Sequence, residues 1–136
     1  MDNTIRQLVN RFKTTDPFII AEGLNILIRY ADLEEGTRGL YFRKLRRRFI
    51  VIHRGLDEHW QKIVCAHELG HDRLHPGLSR FWLDEQSFFN TGKYERQANT
   101  FALKLVTYNI DQEVGETSEQ YLFRCGVPKE LHMLYM

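Results

Sequence analysis

Five consecutive residues could do chemistry together: His67-Glu68-Leu69-Gly70-His71, an H-E-x-x-H motif. Histidines at this spacing lie one above the other on a helix face, so both imidazoles can bind one tetrahedral zinc ion. The intervening Glu68 lies about 100° around the helix from His67, close enough to address a water molecule on the metal. Zinc lowers the pKa of such a water toward neutrality, and a neighbouring carboxylate can accept the proton. The motif therefore predicts a zinc site with Glu68 as the general base.

The alternative is a surface helix that happens to carry two histidines and a glutamate. Val64, Ala66 and Leu69 make this segment substantially apolar, which favours a helix inside the protein. Burying two imidazoles and a carboxylate there without a shared partner would cost free energy. We therefore favour the metal site.

A catalytic zinc site needs a third protein ligand and an open position. Four residues downstream could supply the ligand: His75, Asp84, Glu85 and Glu95. A third histidine at the metzincin spacing would fall at position 77, which is glycine, so that arrangement is excluded. His75 continues the helix face but lies a further turn away, too far to close a tetrahedron.

Glu95 lies near the start of the next predicted helix, and Asn99 follows it on the same face. Asn99 could accept a hydrogen bond from the outer ring nitrogen of a ligand histidine, which would fix the tautomer of that ring. A glutamate on a helix is usually a solvated surface charge. Its pairing with Asn99 beside an apolar face nevertheless favours Glu95 as the third ligand.

The apolar spacing also predicts the elements that must position these side chains. Helices are expected over residues 2–13, from Pro17 after an Asp16 N-cap, over 57–75, over 93–108, from Ser118, and for a turn or two after Pro128. Strands are expected over residues 26–30, 37–42 and 49–53, and the basic run 43–48 suggests a hairpin between the last two. The last strand is apolar on both faces, so we expect both faces to be covered. Residues 77–92 are predicted to form a loop.

Length and composition limit the classes of protein to which the chain can belong. With 136 residues, 43% of them hydrophobic, it is expected to form a single packed domain over residues 1–136. Nineteen basic and eighteen acidic side chains give a net charge of +1, which provides no global attraction to nucleic acid or anionic lipid. The sequence has no apolar run of membrane-spanning length, and Cys65 and Cys125 are interpreted as reduced thiols. We therefore expect a cytoplasmic protein that does not associate with membranes.

The motifs together resemble the ImmA/IrrE family of zinc-dependent peptidases. The matching pattern is Ala66-His67-Glu68-Leu69-Gly70-His71, then Leu74-His75, then Glu95-x-x-Ala98-Asn99-x-Phe101-Ala102. Many peptidases share H-E-x-x-H, and it is the second motif that makes the assignment specific. The resemblance covers roughly residues 15–108. It departs from the family at residues 103–108, which lack the Met-Pro turn that often follows.

This resemblance implies His67, His71 and Glu95 as ligands of one zinc ion per chain, and Glu68 as the catalytic base. It implies a small zincin-like α+β fold, in which a short three-stranded sheet packs with the H-E-x-x-H helix and a second ligand-bearing helix. Family members cleave helix-turn-helix transcriptional repressors. The expected substrate is therefore a repressor of a phage, another mobile element or a stress operon. The chain is similar to the compact ImmA type of anti-repressor, which lacks its own DNA-binding domain.

Several side chains near the motifs allow more than one interpretation. Besides Asn99, His75 and Tyr94 are candidates for supporting a ligand or stabilising an oxyanion, and His53 is a weaker candidate. His59 and His132 are interpreted as surface residues, and Cys65 as a core residue. Four aromatic residues could either grip an extended substrate or pack the predicted loop onto the core: Phe81, Trp82, Phe88 and Phe89.

The basic run 43–48 could contact DNA or an acidic substrate. A solvated hairpin tip is favoured, because no aromatic residue interleaves with the charges for base stacking. Direct binding to nucleic acid is therefore not expected. The alternative function is a zinc-containing binding module that inactivates a repressor without cleaving it. Glu68 argues against that module, since a structural zinc site needs no base between its histidines.

Overall fold

The computed structural model describes residues 1–76, the backbone of residues 80–84, and residues 92–135. Its elements in chain order are α1 (Asp2–Phe12), α2 (Pro17–Gly23), β1 (Ile26–Ala31), β2 (Thr37–Lys44), β3 (Arg47–His53), α3 (Glu58–Leu74), β4 (Arg80–Asp84), α4 (Lys93–Val106), α5 (Ser118–Arg124), a 3₁₀ turn (Lys129–Leu131) and α6 (His132–Tyr135). The predicted α+β class is confirmed, and the predicted helices and strands are present with small differences in their bounds. None of the described helices has the length and apolar composition needed to cross a membrane.

One mixed sheet forms with the strand order β1-β3-β2-β4. β1 is parallel to β3, from Ile26 opposite Arg48 to Ala31 opposite His53, whereas β2 is antiparallel to both β3 and β4. The sheet thus contains the three predicted strands and a fourth. The predicted loop was wrong at residues 80–84, because this short edge strand is stabilised by distant pairing with β2 that a local pattern does not reveal.

The basic run belongs largely to the strands of the β2–β3 hairpin. Arg43 pairs with Arg48 and Lys44 with Arg47, so the turn itself is at Leu45 and Arg46. Leu45 has a φ of 54° and is 89% exposed. The charged side chains at this end of the hairpin are mostly exposed, in agreement with a solvated tip.

The hydrophobic core lies between one face of the sheet and the helices. Ile50 and Ile52 of β3 are fully buried on this face, together with Val64 and Leu69 of α3. The opposite face of β3, which includes Val51, is only half-buried. The expectation that both faces are covered therefore holds fully for the face of Ile50 and Ile52 and in part for the face of Val51.

Two glycines allow α3 to pack closely against its neighbours. A Cβ atom on Gly39 of β2 would lie 2.5 Å from Cγ1 of Val64, so only glycine lets the sheet approach the helix here. On the other side, a Cβ atom on Gly70 would lie 3.0 Å from Cδ1 of Phe101 in α4. As a result, α3 lies between the sheet and α4, with its motif facing α4.

Candidate metal centre

The motif of α3 lies in the interior of the molecule. Asp57 begins the helix by accepting a hydrogen bond from the backbone N–H of Trp60 at 2.9 Å, as an N-cap residue does. About three to four turns later, His67, Glu68 and His71 are each 0% exposed. Glu95, near the start of α4, keeps 20% of its side chain exposed. The cluster therefore opens to solvent on the side of Glu95.

Three side chains converge at this point. Oε2 of Glu95 lies 2.9 Å from Nε2 of His67, and Oε1 of Glu95 lies 2.9 Å from Nε2 of His71. One ligand atom from each residue can be chosen so that all lie within 4.8 Å of one another. Ligand atoms that share a tetrahedral zinc ion lie roughly 3.3 Å apart, given bonds of about 2.0–2.1 Å. The spacing of His67, His71 and Glu95 therefore fits a divalent metal ion.

Electrostatics favour the protonation states that metal ligands need. Burial lowers the pKa of His71 to about 4, so its imidazole is neutral near pH 7. Burial acts to raise the pKa of Glu95, but hydrogen bonds and charge from His67 and His71 outweigh it and lower the pKa to about 2. A neutral imidazole and an ionised carboxylate are the forms that bind metal.

Glu68 has a different environment from Glu95. Its carboxylate is fully buried and makes no hydrogen bond with any described residue, and its Oε1 lies 3.9 Å from Nε2 of His67. Burial first, and then the charge of Glu95, raise the pKa of Glu68 well above its ordinary value. A buried carboxylate without a protein partner is costly unless a cation stabilises it. Glu68 therefore provides independent support for a cation at the cluster.

His75 and Gln97 extend the cluster outward. Nδ1 of His75 lies 3.0 Å from Nδ1 of His71, and Nε2 of His75 lies 2.7 Å from Oε1 of Gln97. The ring of Tyr94, 49% exposed, stands 4.6 Å from the ring of His75. The sequence indicated His75 and Tyr94 but missed Gln97. In the sequence, the position of Gln97 two residues after Glu95 was a weak indication, because it does not show that Gln97 reaches His75.

The other sequence candidates have separate positions. Asn99 is buried on α4, but its predicted bond to a ligand histidine stays a prediction. His53 accepts a hydrogen bond from the backbone N–H of Gly55 at 2.9 Å, within its own turn. The side chains of Asp84 and Glu85, and of the four aromatic residues of the predicted loop, lie outside the described part of the structure.

Two further histidines and a cysteine were interpreted from the sequence. His59 is exposed, as predicted, and Cys65 is fully buried in the core, also as predicted. His132, by contrast, is 5% exposed, and its Nε2 donates to the Val127 carbonyl at 2.9 Å. The surface interpretation of His132 was wrong, because the 3₁₀ turn that precedes α6 folds this residue inward.

A buried ion network next to His71 holds α3 on the sheet. Asp72, whose side chain is 0% exposed, accepts a hydrogen bond from the Tyr41 hydroxyl at 2.7 Å and another from Arg48 at 2.9 Å. Arg73 also donates to it at 2.7 Å, and Arg48 donates in addition to the Leu24 carbonyl. No pattern in the sequence indicated this network. It fixes the rotation of α3 about its axis, and therefore the direction in which the motif points.

Known proteins resemble this chain over most of its length. The family model described as Peptidase_M78, IrrE N-terminal-like domain, matches residues 21–110, which include the whole cluster. The chain is 35% identical over 131 residues to "Uncharacterized immunity region protein 2" of Bacillus phage phi105, a span of 93% of this chain and 83% of that protein. With a family match across well over half of its residues, the chain belongs to the M78 peptidase family, the IrrE N-terminal-like group.

Proposed function

We propose that this protein is a zinc-dependent endopeptidase that cleaves a helix-turn-helix transcriptional repressor. The observation that carries the proposal is the placement of Glu68, a fully buried carboxylate, beside the His67, His71 and Glu95 cluster. A purely structural metal site needs ligands but no additional carboxylate. A hydrolytic site needs one, as a general base.

In this proposal His67, His71 and Glu95 would hold the zinc ion, the histidines through Nε2 and Glu95 through its carboxylate. When bound there, zinc polarises the scissile carbonyl and acidifies the attacking water. Glu68 accepts a proton from that water on one carboxylate oxygen and then delivers it to the leaving nitrogen. Burial raises the pKa of Glu68, and a higher pKa makes its carboxylate a stronger acceptor for the proton of the water.

The substrate is proposed to bind as an extended strand along β4. In the described sheet, β4 is an edge strand that pairs with β2 on one side only, and it packs against α3. Peptides commonly bind such edges by adding a strand through backbone hydrogen bonds. A structure of the Glu68→Gln variant with a substrate peptide tests this, and a peptide bound without pairing to β4 would contradict it.

The repressor is proposed as substrate because of the phage relative. That relative is named as an immunity region protein, and the family that the motifs resemble cleaves helix-turn-helix repressors. A repressor acts in the cytoplasm, so we place this protein there too. We also propose that residues 1–136 act as one domain, since Ile5 of α1 and Leu122 of α5 both belong to the core around α3.

Co-expression with a helix-turn-helix repressor taken from the genes next to that of this protein tests the function. The wild type, Glu68→Gln and a matched control, Glu58→Gln, are compared by mass analysis of the repressor. Glu58 is exposed in the first turn of the same helix, so its variant keeps the site intact. Discrete fragments with the wild type and Glu58→Gln, but not with Glu68→Gln, are expected. An intact repressor that co-purifies with all three forms would instead indicate the binding module.

A further inference from the structure

A line of hydrogen bonds connects α4 to the metal cluster through two histidine rings. It runs from Oε1 of Gln97 to Nε2 of His75 at 2.7 Å, and from Nδ1 of His75 to Nδ1 of His71 at 3.0 Å. His71 and His75 are both buried, and Gln97 is partly so. On its other nitrogen, Nε2, His71 faces Glu95 at 2.9 Å. Gln97 is thus linked to the metal position without touching it.

The direction of these bonds follows from the chemistry of each group. An amide oxygen only accepts, so Nε2 of His75 must carry the proton and donate it to Gln97. A neutral imidazole protonated at Nε2 has a lone pair at Nδ1. That lone pair can accept only if His71 is protonated at Nδ1. The Nε2 atom of His71 is then left with its lone pair directed at the cluster, which is the tautomer that binds metal.

The opposite direction is incompatible with metal binding by a neutral His71. If the Gln97 amide were turned to donate its NH₂ group, His75 would have to be protonated at Nδ1 and donate to His71. The proton of His71 would then sit on Nε2 and block the atom that faces Glu95. Only one orientation of the Gln97 amide therefore agrees with the proposed ligand set.

We propose that Gln97 is a positioning residue that selects the metal-binding tautomer of His71 through His75. The inference rests on the proposed function in that it assumes a metal ion at the cluster. It assigns Gln97 no contact with substrate and no share in proton transfer. Loss of Gln97 should lower the affinity for the metal. Without Gln97, the metal-free protein must spend free energy to move the His71 proton from Nε2 to Nδ1 before it binds the metal.

Zinc affinity of the intact protein, measured by competition with a zinc-binding chromophore, tests the proposal. Gln97→Met keeps the length of the side chain but removes the acceptor. We expect zinc to bind about 3- to 10-fold more weakly, which is less than the roughly 10- to 100-fold typical of a direct partner of a ligand, because Gln97 acts through His75. Gln97→Glu keeps an acceptor and should bind at least as tightly as the wild type. Thr100→Val, at an exposed position of α4, is the matched control and should leave the affinity unchanged.

A double-mutant cycle shows whether Gln97 acts through His75. His75→Phe alone should weaken zinc binding about 10- to 100-fold, and Gln97→Met should have no further effect in that background. An equal loss from Gln97→Met with and without His75 would overturn the proposal, because Gln97 would then act by another route. Unchanged affinity in Gln97→Met would overturn it as well.

Nitrogen-15 NMR of the histidine rings gives a second test that needs no variant to fold. In the zinc-loaded wild type, His75 should be protonated at Nε2 and unprotonated at Nδ1. The opposite tautomer would contradict the proposed direction. A wild type that binds no zinc would defeat the proposed function itself, whereas tight zinc binding that is insensitive to Gln97→Met defeats only this inference.

Discussion

Gly70 and Phe101 meet at the point where the two ligand-bearing helices pack together. A Cβ atom on Gly70 would lie 3.0 Å from Cδ1 and 3.2 Å from Cβ of Phe101, which is itself 0% exposed. The contact between Gly70 and Phe101 therefore sets the distance between α3 and α4, and Gly70 lies inside the H-E-x-x-H motif. His67 and His71 are on α3 and Glu95 is on α4, so this contact also sets the width of the cluster.

Gly70→Ala should destabilise the protein and weaken zinc binding. Alanine in a helix is normally favoured over glycine by about 1 kcal/mol. Here the added methyl group pushes on a buried ring, and overpacking costs about 1–3 kcal/mol. We expect a net loss of about 1 kcal/mol in the free energy of unfolding, measured with urea. Adding Phe101→Leu should restore zinc affinity, and a stabilised single variant with normal affinity would contradict this account.

Glu68→Gln should abolish cleavage while it stabilises the metal-free protein near neutral pH. General base catalysis contributes about 10²–10⁴ in rate, so a loss of at least that order is expected in peptide cleavage. The folded pKa of Glu68 is raised above its unfolded value. Protonated Glu68 therefore favours the folded state fully at pH below the unfolded pKa, and this advantage is lost as pH rises toward the folded pKa.

The effect of Glu68 protonation on stability is measured by urea unfolding of chelator-treated protein at several pH values. The wild type should lose stability relative to Glu68→Gln as pH rises from about 4.5, the ordinary pKa of the carboxyl group. Parallel curves of unfolding free energy against pH for the two proteins would contradict the expectation that burial raises the pKa of Glu68.

Zinc should stabilise the wild type by mass action and should not stabilise a variant without the third ligand. A ligand at 100 times its Kd adds about 2.7 kcal/mol to the free energy of unfolding. Glu95→Gln should lose most of this gain in a thermal-shift measurement, whereas Glu119→Gln, an exposed position on α5, should keep it. Equal stabilisation of both variants would place the metal elsewhere.

Asp72→Asn should destabilise the fold by about 3–5 kcal/mol, because it leaves Arg48 beside a neutral group in a partly buried site. Burial opposes ionisation of Asp72, but hydrogen bonds from Tyr41 and Arg73 lower its pKa below the ordinary 3.8. The stability from this carboxylate is therefore present above the unfolded pKa and is lost as pH falls through the lowered folded value.

Acid unfolding of the wild type and Asp72→Asn checks this expectation. The difference between the two proteins should be largest near neutrality and should shrink below about pH 4, close to the ordinary pKa. Tyr41→Phe removes one neutral hydrogen bond and should cost less, about 1 kcal/mol. A variant Asp72→Asn with unchanged stability would mean that the network does not hold α3 in place.

Local spacing was sufficient to predict α3, α4 and the shared face of His67 and His71, whereas Glu95 was favoured because of its pairing with Asn99 and the family resemblance. Histidines one turn apart on a helix need no tertiary information to share a face. The features that the sequence missed depend on long-range contacts. β4 is stabilised by pairing with β2, and Asp72 is buried because Tyr41 and Arg48 reach it from the sheet. Gln97 is informative only once α4 lies beside His75.

A metal ion held by both α3 and α4 would also act as a cross-link. His67 and Glu95 are 28 positions apart in the chain, and β4 lies in the segment between them. Closing such a loop costs chain entropy when the protein folds, and the free energy of metal binding offsets that cost. Chelation would therefore remove this stabilisation from the segment that carries β4, along which the substrate is proposed to bind. A cell that withholds zinc would weaken substrate capture and hydrolysis at the same time.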